Sequence, residues 1–341
     1  MVKLSVLDLA PVSEGTNAAS ALHNARDLAR HAERLGFHRF WMAEHHSMPG
    51  IASAATSVAL CHVAGGTSRI RIGAGGIMLP NHSPLQIAEQ FGTLESLFPG
   101  RIDLGLGRAP GTDQAASQAM RRTLDSDPNA FPRDVVELLN YFEPAQPGQR
   151  VRAIPGEGLD IPVWILGSSL FGAQLAALLG LPFAFASHFA PQQMMDAIAI
   201  YRESFRPSDR LAKPYVMLGF NVFAADTDEE GALLATSVQQ AFVALRTGQP
   251  GKLKPPVRGY LESLPAAHRA QLGMALSCSA IGTGESIRAA VEAFVQRTGA
   301  DELMITSQIF DHQARLRSYE ILAESLPKCM AAPAAPAMAA A

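Results

Sequence analysis

Residues 70–106 hold a complete strand–helix–strand unit. It reads Ile70-Arg71-Ile72-Gly73-Ala74-Gly75-Gly76-Ile77, then a helical pattern over 85–97, then Ile102-Asp103-Leu104-Gly105-Leu106. Both flanking runs are apolar on consecutive positions with small polar interruptions, as parallel strands covered on two faces require. The alternation continues in both directions. Strand-length apolar runs recur at residues 4–9, 40–43, 163–166, 183–186, 216–224 and 303–305, making eight with the two above. Helical patterns fill the intervals at 19–35, 135–142, 171–179, 191–205, 286–296 and 312–326. The first of these carries Leu22, Ala25, Leu28, Ala29 and Ala32 on one face and stops at Gly36. Eight strands alternating with helices predict a (β/α)8 TIM barrel, with a doubly wound open sheet as the competing arrangement.

Two intervals are too long for plain crossovers. Residues 107–161 hold a helix and a stretch with Pro144, Pro147, Gly148, Pro155, Gly156 and Gly158, and residues 226–301 hold Lys252-Leu253-Lys254-Pro255-Pro256. They are insertions after strands 4 and 7, expected over the barrel mouth, where long loops serve as lids or binding loops. A single barrel domain is expected over residues 1–326. From 327 to 341 the chain is expected to be a disordered Ala/Pro tail, since 331–341 contain only Ala, Pro and Met.

Among 341 residues, 28 Lys and Arg stand against 31 Asp and Glu, for a formal net charge of -3. No basic excess is present to neutralise a phosphate backbone, so nucleic acid is not an expected partner. No stretch approaches the roughly 20 apolar residues that cross a bilayer, and no membrane partner is expected. The start lacks the apolar core and cleavage site of a signal peptide. Cys61, Cys278 and Cys329 are odd in number and widely spaced, which fits neither a disulfide framework nor a zinc cluster and matches a reducing cytoplasm.

In a barrel, reactive groups lie at the carboxyl ends of strands. The second strand runs into Glu44-His45-His46. A histidine there can act as a general base or bind a ligand; the alternative is a structural hydrogen-bonded pair. Metal binding by Glu44, His45, His46, His62 and His82 is a third option. It is disfavoured because adjacent strand-end residues point to opposite sides and H-E-x-x-H spacing is absent, so no metal is expected. Gly75 and Gly76 lie within an otherwise buried strand, which marks either close approach of a flat ligand or a corner lined with small residues. The fourth strand ends Gly105-Leu106-Gly107-Arg108-Ala109-Pro110-Gly111, whose third glycine is one place late for a dinucleotide fingerprint. Arg108 suits a phosphate, or else a structural ion pair. After the fifth strand, Gly167, Ser168 and Ser169 lead into a helix, whose N-terminal N–H groups form an anion site unless the serine is only a cap. Consecutive strands make Arg108 and this turn neighbours.

These strand ends together resemble the bacterial luciferase-like monooxygenases, flavin-dependent (β/α)8 barrels. Four ordered stretches carry the resemblance: residues 41–46, 72–84, 98–108 and 166–169. The elements Ala186-Ser187-His188-Phe189 and Pro214-Tyr215-Val216 are similar to a subgroup distinct from the luciferase subunits. The resemblance implies His45 as the catalytic histidine, with Glu44, His46 and His82 as supports. It implies a non-proline cis peptide at Gly75–Gly76 beneath the flavin ring, and a phosphate held by Gly107, Arg108, Gly167, Ser168 and Ser169. Glycines replace the alanine pair of the luciferase subunit, and Leu106 stands where its α subunit carries a reactive cysteine. The implied activity uses reduced FMN and O2 to oxygenate a small organic substrate, with a separate NAD(P)H flavin reductase as partner and a homodimeric assembly. Hydride transfer with the deazaflavin F420, or flavin binding without catalysis, are the alternatives on the same fold.

Overall fold

The computed structural model describes residues 2–109, 119–120 and 130–329. Among the described residues, nine strands form one parallel sheet: β1 Lys3–Asp8, β2 Arg39–Met42, β3 Arg71–Met78, β4 Ile102–Gly107, β5 Val163–Gly167, β6 Phe183–Phe185, β7 Val216–Ala224, β8 Ser279–Gly282 and β9 Glu302–Thr306. Their order is β6-β5-β4-β3-β2-β1-β9-β7-β8, and β6 also pairs with β7, closing an eight-stranded barrel as expected. The ninth strand was not legible in the sequence, because Ser279-Ala280-Ile281-Gly282 is short and lacks an apolar run. Asn221 pairs with Thr306 on one side and Ser279 on the other, so β8 takes over the edge of β7 beyond the point where β6 ends.

Alternation along the strands explains why both faces are apolar. Leu4, Val6, Phe40, Met42, Ile72, Leu104 and Ile165 point outward into the layer shared with the helices. Leu7, Trp41, Trp164, Ala184, Met217 and Met304 fill the inside. At the amino-terminal end of the strands the filling is charged. Arg39 donates from Nη1 to Asp103 Oδ2 at 2.7 Å and from Nε to Glu302 Oε1 at 2.8 Å. Arg71 adds a 2.7 Å pair to Asp103 Oδ1, and Trp41 Nε1 and the Tyr215 hydroxyl donate to Asp103 and Glu302 at 3.1 and 2.9 Å. The Arg39 guanidinium also stands 4.9 Å from the Trp164 ring centroid. Burial alone would raise the Asp103 carboxyl, but the Arg39 and Arg71 charges outweigh it and hold that group below the usual range.

The two insertions lie in different places. The 226–301 excursion docks across the mouth: Leu253 N–H donates to Val12 O at 2.9 Å, Glu14 N–H donates to Leu253 O at 2.8 Å, and Lys252 Nζ reaches Thr16 O at 2.7 Å. Val12, Glu14 and Thr16 belong to the loop that follows β1, so this insertion covers the carboxyl ends of the strands. The Pro/Gly-rich stretch does not. Helix Phe131–Phe142 is the crossover to β5, and the stretch after it lies against the outer helix Pro84–Leu97, where Gly92 leaves room for the backbone of Pro155 and Gly156. Residues 110–118 and 121–129 fall outside the described residues, as do 330–341 of the expected tail; Pro327–Cys329 form a 3-10 turn. Among the described residues no helix is long and apolar enough to cross a membrane.

Removing one member of a buried, hydrogen-bonded ion network leaves the others uncompensated, at a cost of about 3–5 kcal/mol. Arg39→Ala is expected to lose that much in equilibrium urea unfolding. A loss under ~1 kcal/mol, the scale of an exposed pair, would show that the charged plug does not hold the barrel together.

Candidate active site

The Glu44-His45-His46 motif leaves β2 at the mouth, and its three side chains part company. Glu44 turns inward and is 1% exposed. Its Oε1 accepts from His46 Nε2 at 2.6 Å and from His82 Nε2 at 2.8 Å, and its Oε2 accepts from the Met78 N–H at 2.9 Å. His82 is delivered by the 3-10 turn Leu79–Asn81 that follows β3. Burial would raise the Glu44 carboxyl, yet the donors from His82, His46 and the Met78 amide more than offset it, so the group is held as a carboxylate. It thus clamps the ends of β2 and β3. Of the residues weighed for a metal, Glu44, His46 and His82 gather within 4.8 Å. His62 lies apart, on helix Thr56–Ala64 against the His23 ring, and His45 is not part of the cluster.

His45 is half-buried, and its charge bears on His188, beyond the end of β6. Strands 2 and 6 are opposite in the barrel order. His45 and His188 therefore leave the barrel from opposite sides of its mouth.

Gly75 and Gly76 are joined by a cis peptide, and the β3–β4 register shifts between Ala74 and Ile77. A Cβ on Gly75 would lie 2.9 Å from Trp41 Cε3, and one on Gly76 2.8 Å from the Gly105 carbonyl oxygen. The glycines let the backbone settle on the Trp41 ring below and on β4 beside it.

Arg108, at the end of β4, is exposed, with its guanidinium carbon 4.2 Å from the Phe171 ring centroid. Phe171 belongs to the first turn of helix Leu170–Leu179, which Ser169 opens in extended conformation without a side-chain capping bond. Arg108 and the Gly167-Ser168-Ser169 turn are thus brought together, as strand adjacency predicts. Gly107 sits beneath them, where a Cβ would be 3.1 Å from Met78 Sδ. No carboxylate among the described residues pairs with Arg108.

A scan against family models matches residues 2–302 to the luciferase-like monooxygenases. The chain belongs to the luciferase-like monooxygenase family. A luciferase-like monooxygenase of Escherichia coli K12 is 53% identical over 320 residues, 94% of this chain and 96% of its own length. The N-acetyl-S-alkylcysteine monooxygenase of Bacillus subtilis is 34% identical, with 73% of this chain and 75% of that protein covered. Among solved structures, apo-MsnO8 superposes with a TM-score of 0.85 at 33% identity, covering 96% of this chain and 99% of that one. Family membership supports an oxidoreductase of the monooxygenase type. Beyond the motif residues, the luciferase-like barrel brings Ser187, His188 and Asn221 to the mouth, and sequence reasoning had not assigned them a role. The signal available was a histidine directly after an apolar strand run.

Burial in this luciferase-like fold pushes His38, beside the Arg39 charge, and His188, beside His45, down to about 4. In the unfolded chain both return to about 6.5. Below that value the unfolded state takes up protons that the native state refuses, so stability falls as pH drops from 6.5 toward 4. Urea midpoints measured between pH 7 and 4.5 should decline, and His38→Gln should flatten part of the slope. A midpoint constant over that range would contradict the assignment.

Proposed function

We propose that the chain is a flavin-dependent monooxygenase that uses reduced FMN and O2 to oxygenate a small organic substrate. The observation that carries this is the anion seat: a guanidinium, held in place by Phe171, beside the opening turn of a helix at Ser169. It shares a rim with the Gly75–Gly76 peptide and His45. Residues present fit the group. Arg108 offers donors that are not taken by a carboxylate among the described residues, the Leu170–Leu179 amides add the positive end of a helix, and Gly75 and Gly76 leave a bare backbone surface on which a planar ring can lie.

Reduced flavin, when bound, would supply the two electrons that activate O2, one oxygen atom of which goes to the substrate while the other leaves as water. The protein's contributions are local. Arg108, Gly167, Ser168 and Ser169 bind the phosphate, with Gly107 giving room beneath, and Gly75 and Gly76 support the ring. His45 accepts or returns a proton at its imidazole, the role a histidine at a strand end can fill. Glu44 holds His46 and His82 so that the end of β3 keeps its shape, and the 226–301 insertion limits water at the mouth. A separate NAD(P)H-dependent reductase would supply the reduced flavin, and a homodimer is the expected assembly.

The chain's two tryptophans, Trp41 and Trp164, lie within the barrel below this seat, so FMN binding should quench their emission. Charge-assisted hydrogen bonds contribute roughly 1.5–3 kcal/mol; for the exposed Arg108 the low end applies, and Arg108→Ala should weaken FMN binding by about tenfold. Absence of FMN binding, or tighter binding of F420 with substrate reduced in the absence of O2, would refute the proposal.

His45→Ala should bind FMN like the wild type while oxygenation falls by about 10²–10⁴-fold, the usual range for a lost acid–base group. Turnover at the wild-type rate would remove His45 from the mechanism, and turnover-free tight binding of oxidised FMN by the wild type would instead mark a flavin carrier.

A further inference from the structure

His188 occupies a site built to hold an imidazole. It follows β6 in a turn whose backbone is fixed from two sides: Ser187 Oγ donates to Gly219 O at 2.7 Å, and Asn221 Nδ2 donates to His188 O at 2.7 Å. Asn221 is itself held by Ser279 of β8, at 3.1 Å, so the added strand contributes to the placement. The ring lies over Gly219 of β7, where any Cβ would overlap Nδ1, and meets Phe189 edge to face at 4.8 Å. Its Nδ1 is buried without a hydrogen-bond partner. Burying a polar atom in this way costs stability. These contacts carry the β6–β7 seam past its last backbone pair, and the imidazole they position is close enough to His45 to feel its charge.

We propose that His188 is a ligand-contacting residue of the reaction cavity, donating a hydrogen bond from Nε2 to a carbonyl-type oxygen of what binds between it and His45. With Nδ1 closed off against Gly219, the neutral ring is best served by carrying its proton on Nε2, which makes it a donor and fits an acceptor oxygen. Two sources offer that oxygen: a ring carbonyl of the flavin, or a carbonyl or carboxylate of the organic substrate. The proposal rests on the flavin reading above, because it assumes that the ligand fills the mouth.

Carbethoxylation with diethylpyrocarbonate, mapped by mass spectrometry on the full-length protein, tests it. At about pH 5.5 an ordinary histidine is mostly protonated and slow to react, whereas His188, pushed down to about 4 by burial and by His45, remains neutral. It should be modified in the free protein and react several-fold more slowly once tryptophan quenching shows FMN to be bound. An unreactive His188, or one equally reactive with FMN bound, would overturn the proposal while leaving the flavin reading intact. If FMN does not bind at all, both fall. His188→Phe and His188→Gln then separate the sources. Weaker FMN binding in the first but not the second names the flavin, and unchanged FMN binding in both, with protection retained in the wild type, names the substrate. Gly219→Ala provides an independent variant, since its methyl displaces the ring without removing it, and it should reproduce the behaviour of His188→Phe.

Discussion

A parallel barrel needs something to fill it, and here the amino-terminal half is filled by a cation. Arg39 bonds Asp103 of β4 and Glu302 of β9 from its position at the start of β2, so one guanidinium joins strands that are four places apart around the sheet. Neither carboxylate could be tolerated there alone, since an unpaired buried charge costs several kcal/mol. Trp41 and Trp164 meet edge to face above the network, with the Arg39 guanidinium against the Trp164 ring. The consequence is a barrel closed at one end, with a solid aromatic floor below the mouth.

Everything assigned to function stands on that floor. The Trp41 ring supports the Gly75–Gly76 peptide from below, and three residues further along the chain Glu44 uses its carboxylate to tie His46, His82 and the Met78 amide. The anion seat is on the next two strands, and the insertion after β7 bridges the opening by pairing Leu253 with the loop after β1. The rim therefore has a rigid side, formed by β2 to β5, and a covered side, formed by β6 to β8. His45 and His188 mark where the two meet.

How much of this was legible follows from distance along the chain. Strand runs, the Gly167-Ser168-Ser169 turn and the Glu-His-His motif are local patterns, and each lies at the place along the strands that the sequence predicts. The Arg39 network was not legible, because Arg39, Asp103 and Glu302 are 64 and 199 positions apart and each reads as a stray charge next to an apolar run. The pairing of Glu44 with His82 hides for the same reason, and the motif by itself does not say that His46 folds back onto Glu44. The strand β8 escaped because hydrogen bonding to β7, and no apolar run of its own, makes it a strand. The Pro/Gly-rich stretch was expected at the mouth from its length, but the space left by Gly92 on an outer helix takes it to the flank.

The central claim is that the mouth of this barrel seats a flavin, phosphate outward and ring inward, between a helix terminus and a glycine-lined strand. A crystal structure of the protein grown with FMN tests it most directly. The account predicts the phosphate within hydrogen-bond reach of Arg108 and the Ser168–Ser169 turn, with the ring against Gly75 and Gly76 and bordered by His45. Density for the phosphate at another strand end, or a ring lying away from β3, would contradict it.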